Sequence, residues 1–433
     1  MSYTDALDYL YRLQWHGIRP GLERMERLLR LIDHPERKYR SVHIGGTNGK
    51  GSTAATVASI LKRGGYRVGL YTSPHLIDFS ERIRISGKPI EPDQIVRLTN
   101  LLRKRIEEEA PELALSLTFF EFTTAIAFLY FAEAKVDLAV VEVGLGGRFD
   151  ATNLLVPLVT AITHIDLDHE RYLGATIVQI AFEKAGIIKM EVPLITGAAQ
   201  PEVLALFEKA ARSKGAPLLR LGHEINVEGD RPEGFVYRGE RVRTVHSPLL
   251  GRHQVRNTAV ALGMIEQLQA KGIALSEEAI LEGIREVEWA GRLEVIRRRP
   301  LILLDGAHNP AGARALADFL REIDSARRGK HWLIAGIMRD KNIRDILNPL
   351  LPWVDEIVLT RPDIDRAAEP DLLIASIEKG SPVQTVRERV PDAIDYVESN
   401  LRPEDTLVIT GSLYTVGEAK AVYSGTVPSL LRG

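Results

Sequence analysis

Short runs of unbroken hydrophobicity recur through the first half of the chain: SVHIG (41–45), VGLYTS (68–73), VDLAVVEVG (136–144), LVTAITHI (158–165) and VPLIT (192–196). A strand with one wet face alternates polar and apolar residues, whereas a strand covered on both faces does not. These runs therefore predict the buried strands of a parallel sheet. Helical spacing fills the gaps near 52–64, 93–109, 120–134 and 175–188. Such a βαβ series winds by right-handed crossovers into a three-layer α/β domain. From about 217 to 248 the pattern breaks into a stretch rich in charge, glycine and β-formers, which predicts hairpins. Two helices are expected next, over 252–271 and 276–288. A second series then begins with LILLD (301–305), HWLIAG (331–336), EIVLT (356–360) and TLVIT (406–410). It predicts a smaller parallel α/β domain of Rossmann-like type, and the basic run RRRP at 297–300 sets the expected domains as 1–297 and 298–433.

Composition narrows the function classes. With 433 residues the chain exceeds one ordinary core, in keeping with two domains. A formal net charge of only -2 argues against general attraction to nucleic acid or to acidic membranes. The absence of cysteine excludes a disulfide framework, a thiolate metal site and a catalytic thiol, and fits a reducing cytoplasm. The N-terminal MSYTDALDYLYRLQW is broken by acidic residues and does not read as a signal peptide. No apolar run is long enough to cross a bilayer.

The strongest local signal is SVHIGGTNGKGST. A strand feeds a glycine-rich turn, and Lys50, Ser52 and Thr53 open a helix. Glycines let several backbone N–H groups converge, and the helix N-terminus adds partial positive charge. This predicts a P-loop-type phosphate cradle with Lys50 on the β- and γ-phosphates and Ser52 on a phosphate or magnesium. The spacing departs from the common pattern: two residues separate the first glycines of GTNGKGS, and a glycine follows the lysine. Glu142 closes the apolar run VDLAVVE, where a carboxylate is costly unless it meets a cation, so it is the candidate magnesium ligand. His164, Asp166, Asp168 and His169 follow another strand, and spacing alone does not choose among them. Glu183 and Lys184, on the helix at 175–188, read by themselves as a surface ion pair.

Ten segments, in order along nearly the whole chain, carry a resemblance: GTNGKGS (46–52), SPHLIDFSERIRI (73–85), TFFEFTTAIAF (118–128), EVGLGGRFDATN (142–153), DHERYLG (168–174), IAFEKAGIIK (180–189), GRHQVRN (251–257), GRLE (291–294), DGAHNP (305–310) and TGSLYTVGE (410–418). The sequence resembles the folylpolyglutamate synthase and dihydrofolate synthase family, within the ATP-dependent Mur ligase superfamily. The resemblance implies that Thr47, Asn48, Gly49, Lys50, Gly51 and Ser52 cradle the ATP triphosphate. It assigns magnesium to Ser73, Glu142 and His169, at two sites. It assigns Lys184 to a CO2-derived carbamate, which would hold the second magnesium where an ammonium would repel it. Asn257, Arg292, Asp305 and His308 match nucleotide contacts. The pteridine-bearing substrate is expected near Leu13, Gln14 and Trp15, near Thr118, Phe119, Phe120 and Glu121, and near Phe149, Asp150 and Ala151. Phe149 stands where the family commonly has leucine.

The implied activity is an ATP-dependent amide ligase adding L-glutamate to a folate or dihydropteroate carboxylate through an acyl phosphate. Lys50, Lys184 and Arg292 are its expected catalytic residues, nucleotide contacts come from both domains, and a monomer is expected. A Mur-type ligase acting on a UDP-sugar peptide and a nucleotide-driven switch are the alternatives.

Overall fold

The computed structural model describes residues 1–17, 19–324, 328–377 and 382–426, with the side chains of Trp15 and His16 outside the described part. The chain divides into two compact units. The first comprises residues 1–75, 79–248 and 254–287; the second comprises 76–78, 249–253 and 288–433.

The first unit is built on an eight-stranded sheet. Its strands are β1 (Arg40–Gly45), β2 (Val68–Tyr71), β3 (Ile83–Ile85), β4 (Lys88–Pro89), β5 (Leu138–Glu142), β6 (Val159–Ile162), β7 (Leu194–Thr196) and β8 (Leu218–Arg220), in the order β4-β3-β2-β5-β1-β6-β7-β8. All neighbours from β2 to β8 run parallel, and β3 and β4 add an antiparallel edge. The continuous apolar runs have the expected cause. Adjacent residues of β7 face different helices, Leu194 joining the cluster with Val203 and Phe207, and Ile195 lying against Gly263. The sheet is thus the middle of three layers. Chain order reverses around β1, with later strands placed on either side of it, and that reversal opens a crevice at the carboxyl ends of β1, β5 and β6.

Residues 217–248 split two ways. Leu218–Arg220 joins the main sheet, while β9 (Asn226–Arg231), β10 (Gly234–Arg238) and β11 (Val242–Val245) form an antiparallel meander. The meander is tied by Arg243, buried and bonded to Glu266 and Glu277.

The second unit holds β12 (Glu294–Arg298), β13 (Leu301–Leu304), β14 (His331–Ala335), β15 (Glu356–Arg361), β16 (Val383–Arg389) and β17 (Thr406–Thr410), ordered β12-β13-β17-β14-β15-β16. The sheet is parallel except for β12, which pairs antiparallel with β13. The basic run at 297–300, where the sequence pattern sets the boundary, is therefore the connection of a hairpin inside this unit; the unit's main segment begins at Glu288. A run of arginines reads as a linker because it is polar, but an edge strand has one wet side and tolerates the same residues. Among the described residues no helix is long and apolar enough to cross a membrane.

Candidate active site

The loop after β1 is held by its neighbours more than by itself. The register pairs Ile44 with Glu142 of β5 on one side and with Ala161 of β6 on the other. Beyond β6 the chain continues as a brace: the Thr47 N–H donates to the His164 carbonyl (2.7 Å), and the Thr163 hydroxyl lies 2.7 Å from the Asn48 carbonyl it donates to. The Thr47 hydroxyl donates to the Asp166 carbonyl at 3.0 Å. Two glycines are obligatory here. Gly46 has φ +141°, and a Cβ on it would stand 1.9 Å from Thr163 Oγ1. Gly49 has φ +87°, and its Cβ would stand 2.2 Å from Asn257 Oδ1. Gly49 is the N-cap of the helix Lys50–Arg63 and supplies no side chain to its amides. The first-turn N–H groups of that helix are thus the kind of donors an anion accepts. Asn257 donates to Gln254, which donates to the Ser52 hydroxyl at 3.3 Å.

Two lysines converge on this loop. Lys50 folds back so that its Nζ donates to the carbonyls of Gly46 (3.1 Å) and Thr47 (3.2 Å). Lys184 Nζ donates to the same Gly46 carbonyl at 2.9 Å. Lys184 is 4 % exposed, on the helix Ile177–Ala185. Burial, and after it the charge on Lys50, lowers its pKa to about 7, against the opposing pull of Asp168 and Asp150. Glu183, one residue earlier, points elsewhere and bonds Arg148 at 2.8 and 3.2 Å. Glu183 and Lys184 are thus not partners: consecutive helical positions lie about 100° apart, so one can face solvent and the other the core.

Glu142, at the end of β5, is 4 % exposed and accepts the Ser73 N–H at 3.1 Å. Ser73 and Glu142 are therefore neighbours. His169 caps the short helix Glu170–Leu173 with φ +51°, its N–H donating to Asp168 Oδ1 at 2.8 Å. Among the described residues no group of three or more His, Asp or Glu side chains stands close enough to hold a metal by itself. Magnesium carried on phosphates keeps several waters and takes only one or two protein carboxylates. The hard oxygen donors of Glu142, Ser52 and Ser73 suit that ion.

The residues expected around the pteridine fall into two groups. Thr118 and Glu121 form a capping box on the helix Phe119–Glu133: the Glu121 N–H donates to Thr118 Oγ1, and the Thr118 N–H donates to Glu121 Oε2. Arg24 pairs with the same carboxylate at 3.0 Å. Phe119 stacks on Tyr11, with rings 5.8 Å apart, under the Arg82 guanidinium, and Phe120 stacks on Tyr71 at 5.9 Å. These contacts fix the start of that helix in place. Replacing Glu121 by alanine removes the box and the Arg24 partner, and a loss of about 2 kcal/mol is expected. Chemical denaturation checks this; an unchanged midpoint with a raised KM for the pteridine would make Glu121 a substrate contact instead. The other group is more open. Phe149 is exposed, with the Arg148 guanidinium 4.3 Å from its ring centre. Asp150 is buried and caps the turn Ala151–Leu154, accepting the Leu145 N–H (2.8 Å) and the Thr152 N–H (3.0 Å). Leu13 is buried in the turn Leu13–His16, and Gln14 Oε1 is buried with no hydrogen-bond partner among the described residues. The Trp15 side chain lies outside the described residues.

In the second unit Asp305 closes β13 and accepts the N–H groups of Leu293 (2.9 Å) and Ala307 (3.0 Å). Burial raises its pKa, while Arg292 and these donors oppose the rise. Arg292 donates to the Gly291 carbonyl at 3.0 Å, and His308 Nδ1 lies 2.8 Å from the Gly306 carbonyl. Asp305, Arg292 and His308 thus gather at one end of that sheet. The sequence does not single out Thr163, Gln254 or His43, although Thr163 directly follows the β6 run and Gln254 lies in the segment GRHQVRN.

Comparison with known proteins places this geometry. The model of the Mur ligase middle domain matches residues 44–265, and that of the Mur ligase glutamate ligase domain matches residues 291–413. The two units therefore define a Mur ligase. The dihydrofolate synthase/folylpolyglutamate synthase of Bacillus subtilis (strain 168) is 37% identical over 97% of this chain and 98% of its own length. The folylpolyglutamate synthase of Thermotoga maritima superposes with a TM-score of 0.85 at 38% identity, covering 98% of this chain and 97% of that one. Escherichia coli FolC in complex with DHPP and ADP gives a TM-score of 0.88 at 31% identity, covering 98% of both chains. This chain belongs to the folylpolyglutamate synthase/dihydrofolate synthase family.

Proposed function

We propose that this chain joins L-glutamate to the carboxylate of a folate-type substrate, dihydropteroate or a reduced folate, with ATP cleaved to ADP and phosphate. The observation that carries the reading is the meeting of Lys50, buried Lys184 and the Gly46 carbonyl at the end of β1, beside Glu142. A carboxylate is a poor acyl donor because oxide leaves badly. Its oxygen attacks the γ-phosphorus of ATP, the bond to ADP breaks, and an acyl phosphate results. The glutamate nitrogen then attacks the acyl carbon, phosphate departs with the bonding pair, and one proton is lost from nitrogen. A free α-amine has a pKa near ~8, so a shielded site raises the reactive fraction.

The residues have separable tasks. Loop amides of Thr47 to Ser52 hold the triphosphate, and Lys50 swings from its own loop carbonyls to the terminal phosphates. Asn257, and Arg292, Asp305 and His308 of the second unit, bind the rest of the nucleotide. Magnesium neutralises phosphate charge when bound, and Ser73, Glu142, His169 and a carbamoylated Lys184 would hold it. Lys184 suits that change because its pKa of about 7 leaves a large neutral fraction at neutral pH. Leu13, Gln14, Thr118, Phe119, Phe120, Glu121, Phe149, Asp150 and Ala151 border the pteridine.

ATP-dependent incorporation of labelled glutamate, run separately with dihydropteroate and tetrahydrofolate, tests the reading. ADP release with at least one is expected, and two active substrates would establish both synthase activities. Release only with a UDP-sugar peptide would overturn it. Glu142→Gln should raise the magnesium concentration needed for half-maximal rate by about tenfold or more, since one charged ligand is lost. A magnesium titration of initial rates checks this, and an unshifted curve would remove Glu142 from the metal site.

A further inference from the structure

His43 is a polar residue where the fold asks for an apolar one. It lies in β1 between Val42 and Ile44, and all three are wholly buried. A leucine there would pack without a polar group to satisfy. What His43 does instead is reach the turn that follows β5. Its Nε2 lies 2.7 Å from Thr152 Oγ1, and that hydroxyl donates to Asp150 Oδ1. A hydroxyl has one hydrogen, so towards His43 the Thr152 oxygen is the acceptor and the His43 Nε2 carries the proton. Donation then runs one way: imidazole to hydroxyl to carboxylate. Such chains polarise each member and fix each geometry. Lys189 pins the same turn from behind, its Nζ donating to the Asn153 carbonyl at 2.7 Å. Burial, and then Lys189, lowers the His43 pKa to about 3, so the ring is neutral and serves as a donor and not as an acid or base.

We propose that His43 is a positioning residue for the pteridine substrate, aiming the Asp150 carboxylate through Thr152. The proposal rests on the reading of Asp150 as a substrate contact. Asp150 Oδ1 takes both Thr152 donors and Oδ2 takes the Leu145 N–H. A carboxylate has about four acceptor sites, so about one remains for an N–H of a flat aminopyrimidine ring. If the Thr152 hydroxyl loses the His43 proton, it is free to turn away and Asp150 loses its orientation.

The test is steady-state kinetics of the full-length enzyme with dihydropteroate or tetrahydrofolate, whichever it uses. His43→Leu should raise the KM for the pteridine about tenfold while kcat and the KM for ATP stay near wild type. His43→Gln, whose amide nitrogen reaches about as far as Nε2, should restore it. Thr152→Val should match His43→Leu, and Thr152→Ser should match wild type; the Thr152 pair carries the test alone if leucine at 43 prevents folding. A core defect would instead lower kcat and thermal stability without a selective KM change, and that outcome overturns the proposal. Asp150→Asn separates the two levels. If it raises the pteridine KM while His43→Leu and Thr152→Val do not, the role of His43 falls and that of Asp150 stands. If it leaves the KM unchanged, both fall.

Discussion

Lys184→Ala should abolish glutamate incorporation, by on the order of 10³-fold in kcat, while ATP still binds with near-normal affinity. The residue is buried against the Gly46 carbonyl, so its amine meets the loop proposed to cradle phosphate and not the bulk solvent. Two cationic side chains on one carbonyl is an uncomfortable arrangement. The proposed conversion of Lys184 to an anionic carbamate would relieve it and create a place for a divalent ion. Lys184→Arg separates that idea from a simple need for positive charge. A guanidinium stays protonated and does not add CO2, so the arginine variant should be as inactive as the alanine one. Turnover by labelled glutamate and nucleotide affinity by calorimetry make the comparison. Near-normal turnover in either variant would end the carbamate assignment.

Gly46→Ala has the second large effect, and it acts on structure and binding together. The residue sits at φ +141°, a conformation that side-chain-bearing residues rarely adopt, and the new methyl would stand 1.9 Å from Thr163 Oγ1. Backbone strain and overpacking together should destabilise the first unit by about 3 kcal/mol. The loop amides would also lose their convergence, so the KM for ATP should rise by an order of magnitude or more. Adding Thr163→Ala removes the clash but leaves the torsional cost. The double variant should therefore regain part of the melting temperature and little of the ATP affinity. A single variant with wild-type melting and wild-type KM would show that the loop tolerates what its backbone angles forbid.

The sheet was largely legible in the sequence because its inner strands are covered on both faces, and burial leaves an unbroken apolar trace. Val68–Tyr71, Leu138–Glu142, Val159–Ile162 and Leu194–Thr196 all lie inside the predicted runs. Edges leave no such trace. Lys88–Pro89 has no buried position, and Val383–Arg389 is mostly polar with no fully buried position. The N-terminal helices Tyr3–Arg12 and Glu23–Leu31 are short and rich in charge, so they leave a weaker apolar trace. Yet Ser2 and Asp5 form a capping box there, as Thr118 and Glu121 do later. The loop at 46–52 was readable because glycine and lysine spacing records backbone chemistry directly. Its braces were not, since Thr163 and Gln254 act through contacts over a hundred residues away in sequence. By spacing alone Lys184 reads as half of a surface pair; the resemblance assigns it a buried role, and the fold does turn it inward.

One feature of the second unit bears on how the chain is made. Leu76–Asp78 belongs to that unit, and a Cβ on Gly417 would stand 2.1 Å from the Leu76 carbonyl. The ribosome releases Leu76 well before the helix Leu413–Ser424. At ordinary elongation rates the gap lasts roughly twenty seconds to a minute. Throughout that interval the nascent chain carries an apolar side chain whose docking surface has not been synthesised, so the second unit reaches its native packing only after Leu413–Ser424 has left the ribosome.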